Sequence, residues 1–276
     1  MPEAIDLARP LDLILFAGQS NMAGRGISTP LFPHIPPPVP DEYGLEFRAV
    51  SDPTCLHEIR EPFGDKENRP GGIFEHRKTG SMVSSFIRAY AQVTGATVIA
   101  VSASKGGSAI GEWQKGTPFL TDALDRLRMA MSFLSSHNLP IRHVFTLWCQ
   151  GESDGDLGTG EEEYLRCLTE TFREMQKAGI TDMFLIKTGM CNLPEAPGRY
   201  DGIRRAQETF VRLEPRAHMA SRLLGTMRER GLMKDAFHYV QEGYNECGRD
   251  AGFRAGRMVL EMNEEYENTT EGGGDA

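Results

Sequence analysis

Short, unbroken apolar runs recur along the chain, separated by stretches that read as helices. Leu13-Ile14-Leu15-Phe16 is the first run; Thr97–Ser102, Ile141–Trp148, Met183–Lys187 and His218–Leu224 follow. Runs of this length, bounded by turn residues, predict strands buried on both faces. Helices are predicted over Met82–Val93, Asp122–Leu134, Glu161–Lys177, Asp201–Leu213 and Gln241–Glu261. In the first, Val83, Phe86, Ile87 and Tyr90 share one face; in the second, Leu124, Leu127, Met131 and Leu134 do. Strands alternating with helices predict a parallel sheet wound on both faces by right-handed crossovers. No internal repeat or linker interrupts the pattern, so one domain is expected over residues 1–262. The acidic, glycine-ended stretch 263–276 is expected to be a disordered tail.

One segment breaks the alternation. Residues 27–80 hold nine of the 16 prolines, Pro36-Pro37-Pro38 among them. A loop this long inside a compact domain is either functional or disordered. Phe47, Val50, Leu56 and Ile59 are spaced for a short hairpin. The segment is therefore expected to be either an ordered wall beside the first strand's end or a floppy surface insertion.

The chemistry gathers where strands stop. Gly18 allows a sharp turn after the first strand, and Ser20 follows at the carboxyl end, where open α/β sheets bind ligands. The plainer role for Ser20 is a helix N-cap. A second strand end leads into Ala103-Ser104-Lys105-Gly106-Gly107-Ser108, and a third into Cys149-Gln150-Gly151-Glu152-Ser153-Asp154-Gly155. Asp235 and His238 come late, three residues apart, a spacing that brings a carboxylate beside an imidazole in a turn. Serine, histidine and aspartate are the parts of a nucleophile–base–orienter set. Acyl transfer also needs donors for a developing oxyanion; the N–H groups of Ser20 and Gly107 and the amide of Gln150 would supply three. Gly151 to Gly155 also fits the G-x-S-x-G elbow, with Ser153 as a rival nucleophile. That elbow needs a helix directly after its serine, and Gly155, Gly158 and Gly160 argue against one. Gln19, Asn21, Ser108, Glu152 and Trp113 border these loops. They are expected either to touch substrate or to hold the loops, with the structural role favoured for Glu152 and Trp113.

Composition narrows the function. A net charge of −9 argues against nucleic acid or an anionic membrane as the main partner. No apolar run is long enough to span a bilayer, and Met1 to Pro10 lacks the apolar core of a secretory signal. The five cysteines are odd in number and widely spaced, with no C-x-x-C pair. Reduced thiols and a cytoplasmic setting are expected. The histidines other than His238 show no ligand spacing, so no metal and no cofactor are expected; His57 and His76, in the proline-rich segment, are expected to be surface residues or to line the site.

Four blocks stand in order: GQSNMAGRG (Gly18–Gly26), ASKGGSAIGEW (Ala103–Trp113), WCQGESD (Trp148–Asp154) and DAFH (Asp235–His238). Together they resemble carbohydrate esterase family six, the sialate O-acetylesterase-like branch of the SGNH hydrolases, and within it the plant-type carbohydrate esterases. The resemblance runs from about Leu11 to Met262. It implies a flavodoxin-like three-layer α/β/α fold with a five-stranded parallel sheet. It also implies a metal-independent serine esterase that removes O-acetyl groups from sugars. By position it assigns Ser20 as nucleophile, His238 as base, Asp235 as orienting acid, and Ser20, Gly107 and Gln150 as oxyanion donors. Lys105 departs from the shorter turn of the family pattern. A simple short-chain or aryl esterase, and a non-catalytic sugar binder on the same scaffold, are the competing expectations.

Overall fold

In the computed structural model, which describes residues 9–27 and 34–271, the apolar runs become strands of one seven-stranded sheet. The N-terminal residues before 9, residues 28–33 of the proline-rich segment and the glycine-ended stretch from 272 lie outside the described residues.

The first half of the chain gives β1 (Leu11–Gly18), α1 (Ser20–Ala23), β2 (Gly44–Arg48), β3 (Asp52–Glu58), α2 (Val83–Thr94), β4 (Thr97–Ser104) and α3 (Pro118–Ser136). The second gives β5 (Ile141–Cys149), α4 (Glu152–Leu157), α5 (Glu161–Lys177), β6 (Asp182–Ile186), α6 (Asp201–Leu213), β7 (Ala217–Ser221) and α7 (Gln241–Glu271). Helix α3 begins earlier than expected because Pro118 opens its first turn. Helix α7 continues to Glu271, ten residues past its expected end and into the stretch read as a disordered tail.

Sheet order is β3-β2-β4-β1-β5-β6-β7. The five strands expected from the apolar runs are contiguous and mutually parallel, β4-β1-β5-β6-β7. Renumbered among themselves they follow the flavodoxin-like order 2-1-3-4-5. The expectation of five strands in all is corrected to seven. The proline-rich segment does form a hairpin, and it joins the sheet: β2 pairs parallel with β4, and β3 pairs antiparallel with β2. Leu45 and Phe47 bury themselves in the core from there, which gives the hairpin a reason to dock on an otherwise open edge.

Side chains alternate across each strand, so β1 feeds two cores. Leu13, Leu15 and Ala17 pack with residues of α3, α5 and α6 on one face. Ile14 and Phe16 pack with α2 and α7 on the other. Among the described residues no helix is long and apolar enough to cross a membrane.

The proline-rich segment is held by buried polar bonds. Arg126 on α3 is fully buried and pairs with Asp122 at 2.8 Å. Its guanidinium also donates to the carbonyls of Ser102 (2.9 Å), Glu67 (3.0 Å) and Ile73 (3.3 Å). Lys78 reaches under the segment to Ser102 Oγ at 2.8 Å and the Phe63 carbonyl at 3.0 Å. Over its described residues, 34–80, the segment is the ordered wall of the two expectations.

Removing Arg126 takes one buried donor from each of three carbonyls and from Asp122, which keeps Ile73 N–H and Arg69. Arg126→Ala is expected to cost about 3–5 kcal/mol, lowering the melting temperature by roughly 2–4 °C per kcal/mol. Thermal or urea unfolding of the two proteins checks this.

Candidate active site

Strands β4, β1 and β5 end level with one another: Gly18 stands opposite Ser104 on one side and Cys149 on the other. The chain turns at Gly18 with φ at +132°, a value that favours glycine. Gln19 N–H then donates to the Cys149 carbonyl at 2.9 Å, and Ser20 starts α1 at the floor of a cleft of about 410 Å³.

Ser20 Oγ lies 2.9 Å from His238 Nε2, and His238 Nδ1 lies 2.8 Å from Asp235 Oδ2. Asp235 Oδ1 accepts the backbone N–H groups of Phe237 (3.0 Å) and His238 (2.8 Å). Burial pushes the Asp235 carboxyl up, but these bonds and the imidazole outweigh it and hold it below the usual carboxylate range. The aspartate therefore stays ionised and keeps Nδ1 protonated, which leaves Nε2 to accept from the serine. Burial lowers the His238 pKa, and Arg25 and Lys234 lower it further, against the pull of Asp235. A neutral imidazole against a serine hydroxyl is an arrangement for general-base activation of an alcohol.

Gly107 lines the cleft with φ at +74°. Among the described residues, no protein acceptor faces the N–H of Ser20 or of Gly107. Gln150 behaves differently from its expected role. It is fully buried, and its Nε2 donates to the Ser108 carbonyl at 3.1 Å and to Asp154 Oδ2. Both amide hydrogens are thereby engaged, and Gln150 does not line the cleft. The expectation of Gln150 as third donor is corrected on that ground. Gln19 does line the cleft. Its Oε1 accepts from Gly151 N (3.0 Å) and Ser153 N (3.2 Å), which turns its amide nitrogen away from those bonds.

The remaining candidates hold loops. Ser108 Oγ donates to the Lys105 carbonyl at 2.7 Å and accepts from Trp113 Nε1 at 2.9 Å. Trp113 is buried edge-on against Trp148 and is core, not a sugar platform. Lys105, the departure from the family pattern, donates from Nζ to the Gly106 carbonyl at 2.8 Å, so the longer turn closes on itself. Asn21 donates to Glu152 Oε1 at 2.7 Å and to the Phe237 carbonyl at 3.1 Å, and accepts from Tyr244 at 2.7 Å. Asn21 and Glu152 thus tie the Ser20 turn to the β5 loop, α7 and the Asp235–His238 turn.

Ser153 also lines the cleft. One premise against it fails: α4 begins at Glu152, so a helix does follow that strand despite its glycines. No histidine is bonded to Ser153 among the described residues, whereas His238 is bonded to Ser20.

The proline-rich segment lines one side of the cleft. It brings Phe74, Glu75, His76 and Arg77 to the cleft, whereas His57 stays away from it. Glu75 bonds Gly106 N–H through Oε2 and pairs with Arg25 at 3.1 Å. Burial pushes the Glu75 carboxyl up, but Arg25 and the N–H groups of Arg77 and Gly106 prevail and hold it low. One ionised carboxylate thus links the glycine turn after β4 to the residues that follow Ser20.

Fold and site together define a three-layer α/β/α protein with a serine, a histidine and an aspartate in line at one sheet edge. Residues 10–252 match the family described as carbohydrate esterase, sialic acid-specific acetylesterase, and the chain belongs to it. It is a carboxylic ester hydrolase of carbohydrate O-acetyl esters. Solved structures share the fold. A protein from Arabidopsis thaliana is 22% identical, with a TM-score of 0.66 over 88% of this chain and 96% of its own. NanS is 15% identical, with a TM-score of 0.60 over 93% of this chain and 98% of its own. A carbohydrate acetylesterase from Xanthomonas citri is 16% identical, with a TM-score of 0.56 over 89% of this chain and 55% of its own. No curated protein sequence matches the chain.

Glu152 gives this site a pH signature. Burial, with Asp156 and Asp154 nearby, raises its pKa to about 7 although Asn21 donates to it, and its Oε2 has no partner among the described residues. The folded protein therefore holds a proton that the unfolded chain, at the ordinary value of 4.5, has lost. Stability should be full below pH 4.5, decline as pH rises toward 7, and level off above that. Glu152→Gln should remove this decline, which amounts to roughly 3 kcal/mol. Urea unfolding of both proteins across the range tests it.

Proposed function

We propose that O-acetyl ester hydrolysis in this protein runs through an acyl-Ser20 intermediate. The observation that carries the reading is the unbroken line from Ser20 Oγ through His238 to Asp235, at 2.9 and 2.8 Å. Ser20 Oγ attacks the acetyl carbonyl carbon as His238 Nε2 takes its proton. The new C–O bond makes a tetrahedral oxyanion, and the N–H groups of Ser20 and Gly107 donate to it. Collapse breaks the bond to the sugar oxygen, which leaves with the proton from His238. Water then attacks the acyl group, gives a proton to His238, and acetate departs as Ser20 is regenerated.

The alcohol is a carbohydrate. The cleft offers it Arg25, Arg77 and Lys105 beside Glu75, Glu152 and Asp156, a polar lining of both signs. The five cysteines are unpaired, which favours a reducing, cytoplasmic setting. A single esterase domain accounts for the two cores that share one sheet.

Acetate release from p-nitrophenyl acetate and from a panel of acetylated sugars tests the reading. Ser20→Ala should lose about 10⁴-fold or more in turnover, and Ser153→Ala should stay near the parent. Loss of activity in Ser153→Ala alone would move the nucleophile to the α4 turn. Cleavage of the aryl ester with no sugar deacetylated would indicate a simple-ester esterase, and no release at all a sugar binder.

The base must be neutral to act, so kcat/KM should be fully developed above the His238 pKa and fall as pH drops through it. That midpoint should lie below the ordinary 6.5. A pH–rate profile on the aryl ester checks it, with a midpoint at or above 6.5 as the contrary result.

A further inference from the structure

Outside the Ser20 cleft, chemistry-bearing side chains converge on the sheet edge at β3. Among the described residues, Asp52, Cys55 and His57 form a group whose donor atoms lie within 4.8 Å of one another. Cys55 Sγ is 3.5 Å from His57 Nε2 and 3.6 Å from Asp52 Oδ2. His57 Nε2 is 3.3 Å from Asp52 Oδ2.

These three separations describe a face of a tetrahedron. Zinc binds thiolate at about 2.3 Å, imidazole at about 2.0–2.1 Å and carboxylate at about 2.0–2.2 Å. Tetrahedral angles then require about 3.5–3.6 Å between sulfur and nitrogen, about 3.5–3.7 Å between sulfur and oxygen, and about 3.3–3.5 Å between nitrogen and oxygen. All three observed edges satisfy these values.

The backbone explains how the three meet. Cys55 and His57 are two apart and share a face of the strand. Asp52, three before Cys55, would fall on the opposite face of a regular strand. The ladder is not regular there: Glu46 pairs with His57, but Arg48 pairs with Asp52. Three extra residues of β3 are accommodated against β2, and an odd number returns Asp52 to the face of Cys55 and His57. Asp52 Oδ1 is held by Thr54, through N–H at 3.2 Å and Oγ1 at 2.6 Å, which leaves Oδ2 for the cluster.

Cys55 and His57 line a surface cleft of about 360 Å³ with Arg48, Arg60 and Lys66, so a fourth position is open to water. Arg48 and Arg60 are paired with Glu46 (2.8 Å) and Glu58 (2.6 Å). A dication with one thiolate and one carboxylate is neutral overall, so these neighbours do not repel the filled site.

We propose that Asp52, Cys55 and His57 bind one thiophilic divalent cation of the zinc class per chain, pinning the edge hairpin of the proline-rich segment. The ion takes no part in ester hydrolysis, since none of the three residues lines the Ser20 cleft.

The test is a Co²⁺ titration of the untagged full chain after chelator and reductant treatment. One equivalent should give a thiolate-to-cobalt charge-transfer band with the d–d bands of a four-coordinate site, and Zn²⁺ should displace it. Cys55→Ser should abolish the charge-transfer band. His57→Ala and Asp52→Asn should weaken Zn²⁺ binding by more than about 10-fold, since even indirect ligand partners are worth 10–100-fold. Asp52→Asn keeps an oxygen for Thr54, and circular dichroism with esterase turnover confirms that each variant is folded. No band in the parent, a band that survives Cys55→Ser, or unchanged Zn²⁺ affinity in folded His57→Ala overturns the proposal. The cluster is then a histidine–aspartate pair with a neutral thiol beside it.

Discussion

The site depends first on how closely the end of β1 approaches the end of β5. A Cβ at Gly18 would stand 2.1 Å from the Cys149 carbonyl oxygen, so the position admits no side chain. That approach lets Gln19 N–H close on the same carbonyl and lets Gln19 Oε1 catch the N–H groups of Gly151 and Ser153. Two strand ends are thereby fixed to each other through one glutamine. Ser20 is the next residue, and it leaves the sheet with its hydroxyl already aimed at His238. The position of Ser20 follows from backbone packing, with nothing asked of a flexible loop.

Much of this was legible because the signals are local. Apolar runs marked β1, β4, β5, β6 and β7, and the polar blocks after the first three marked the loops of one sheet edge. Gln150 was misread because nothing in a sequence shows where an amide's hydrogens go: Ser108 and Asp154 claim them only once the β4 and β5 loops are packed together. The α4 turn was misread because its glycines lower helix propensity, while tertiary contacts override it. At Gly155 a Cβ would meet the Tyr200 ring, so the small residue there serves close packing within a helix.

The proline-rich segment was hardest to read for the same reason. Its order comes from partners elsewhere in the chain: Arg126 and Asp122 on α3, and Ser102 on β4. No spacing within residues 27–80 encodes those bonds. Nor does it encode the ladder shift that turns Asp52 toward Cys55 and His57, for strand periodicity alone assigns them to opposite faces. Glu75 shows what the segment does once anchored. It bonds the glycine turn that carries Gly107 and pairs with Arg25, whose positive charge also bears on His238.

The Asp235–His238 turn is the opposite case. The Asp235 side chain is 45% exposed, yet it needs no burial to stay in place. One of its oxygens is fixed by N–H groups two and three residues later, so the backbone of the turn aims the other at Nδ1. Asp235 and His238 form a self-contained unit of four residues, which is why their spacing alone pointed to the pair. What the unit requires from the rest of the fold is a docking point. Asn21 provides one by donating to the Phe237 carbonyl from the residue next to Ser20. The same side chain is fastened by Tyr244 and Glu152. One buried amide thus ties the Ser20 turn directly to the His238 turn, and Glu152, which holds that amide, bears the desolvation that raises its own pKa.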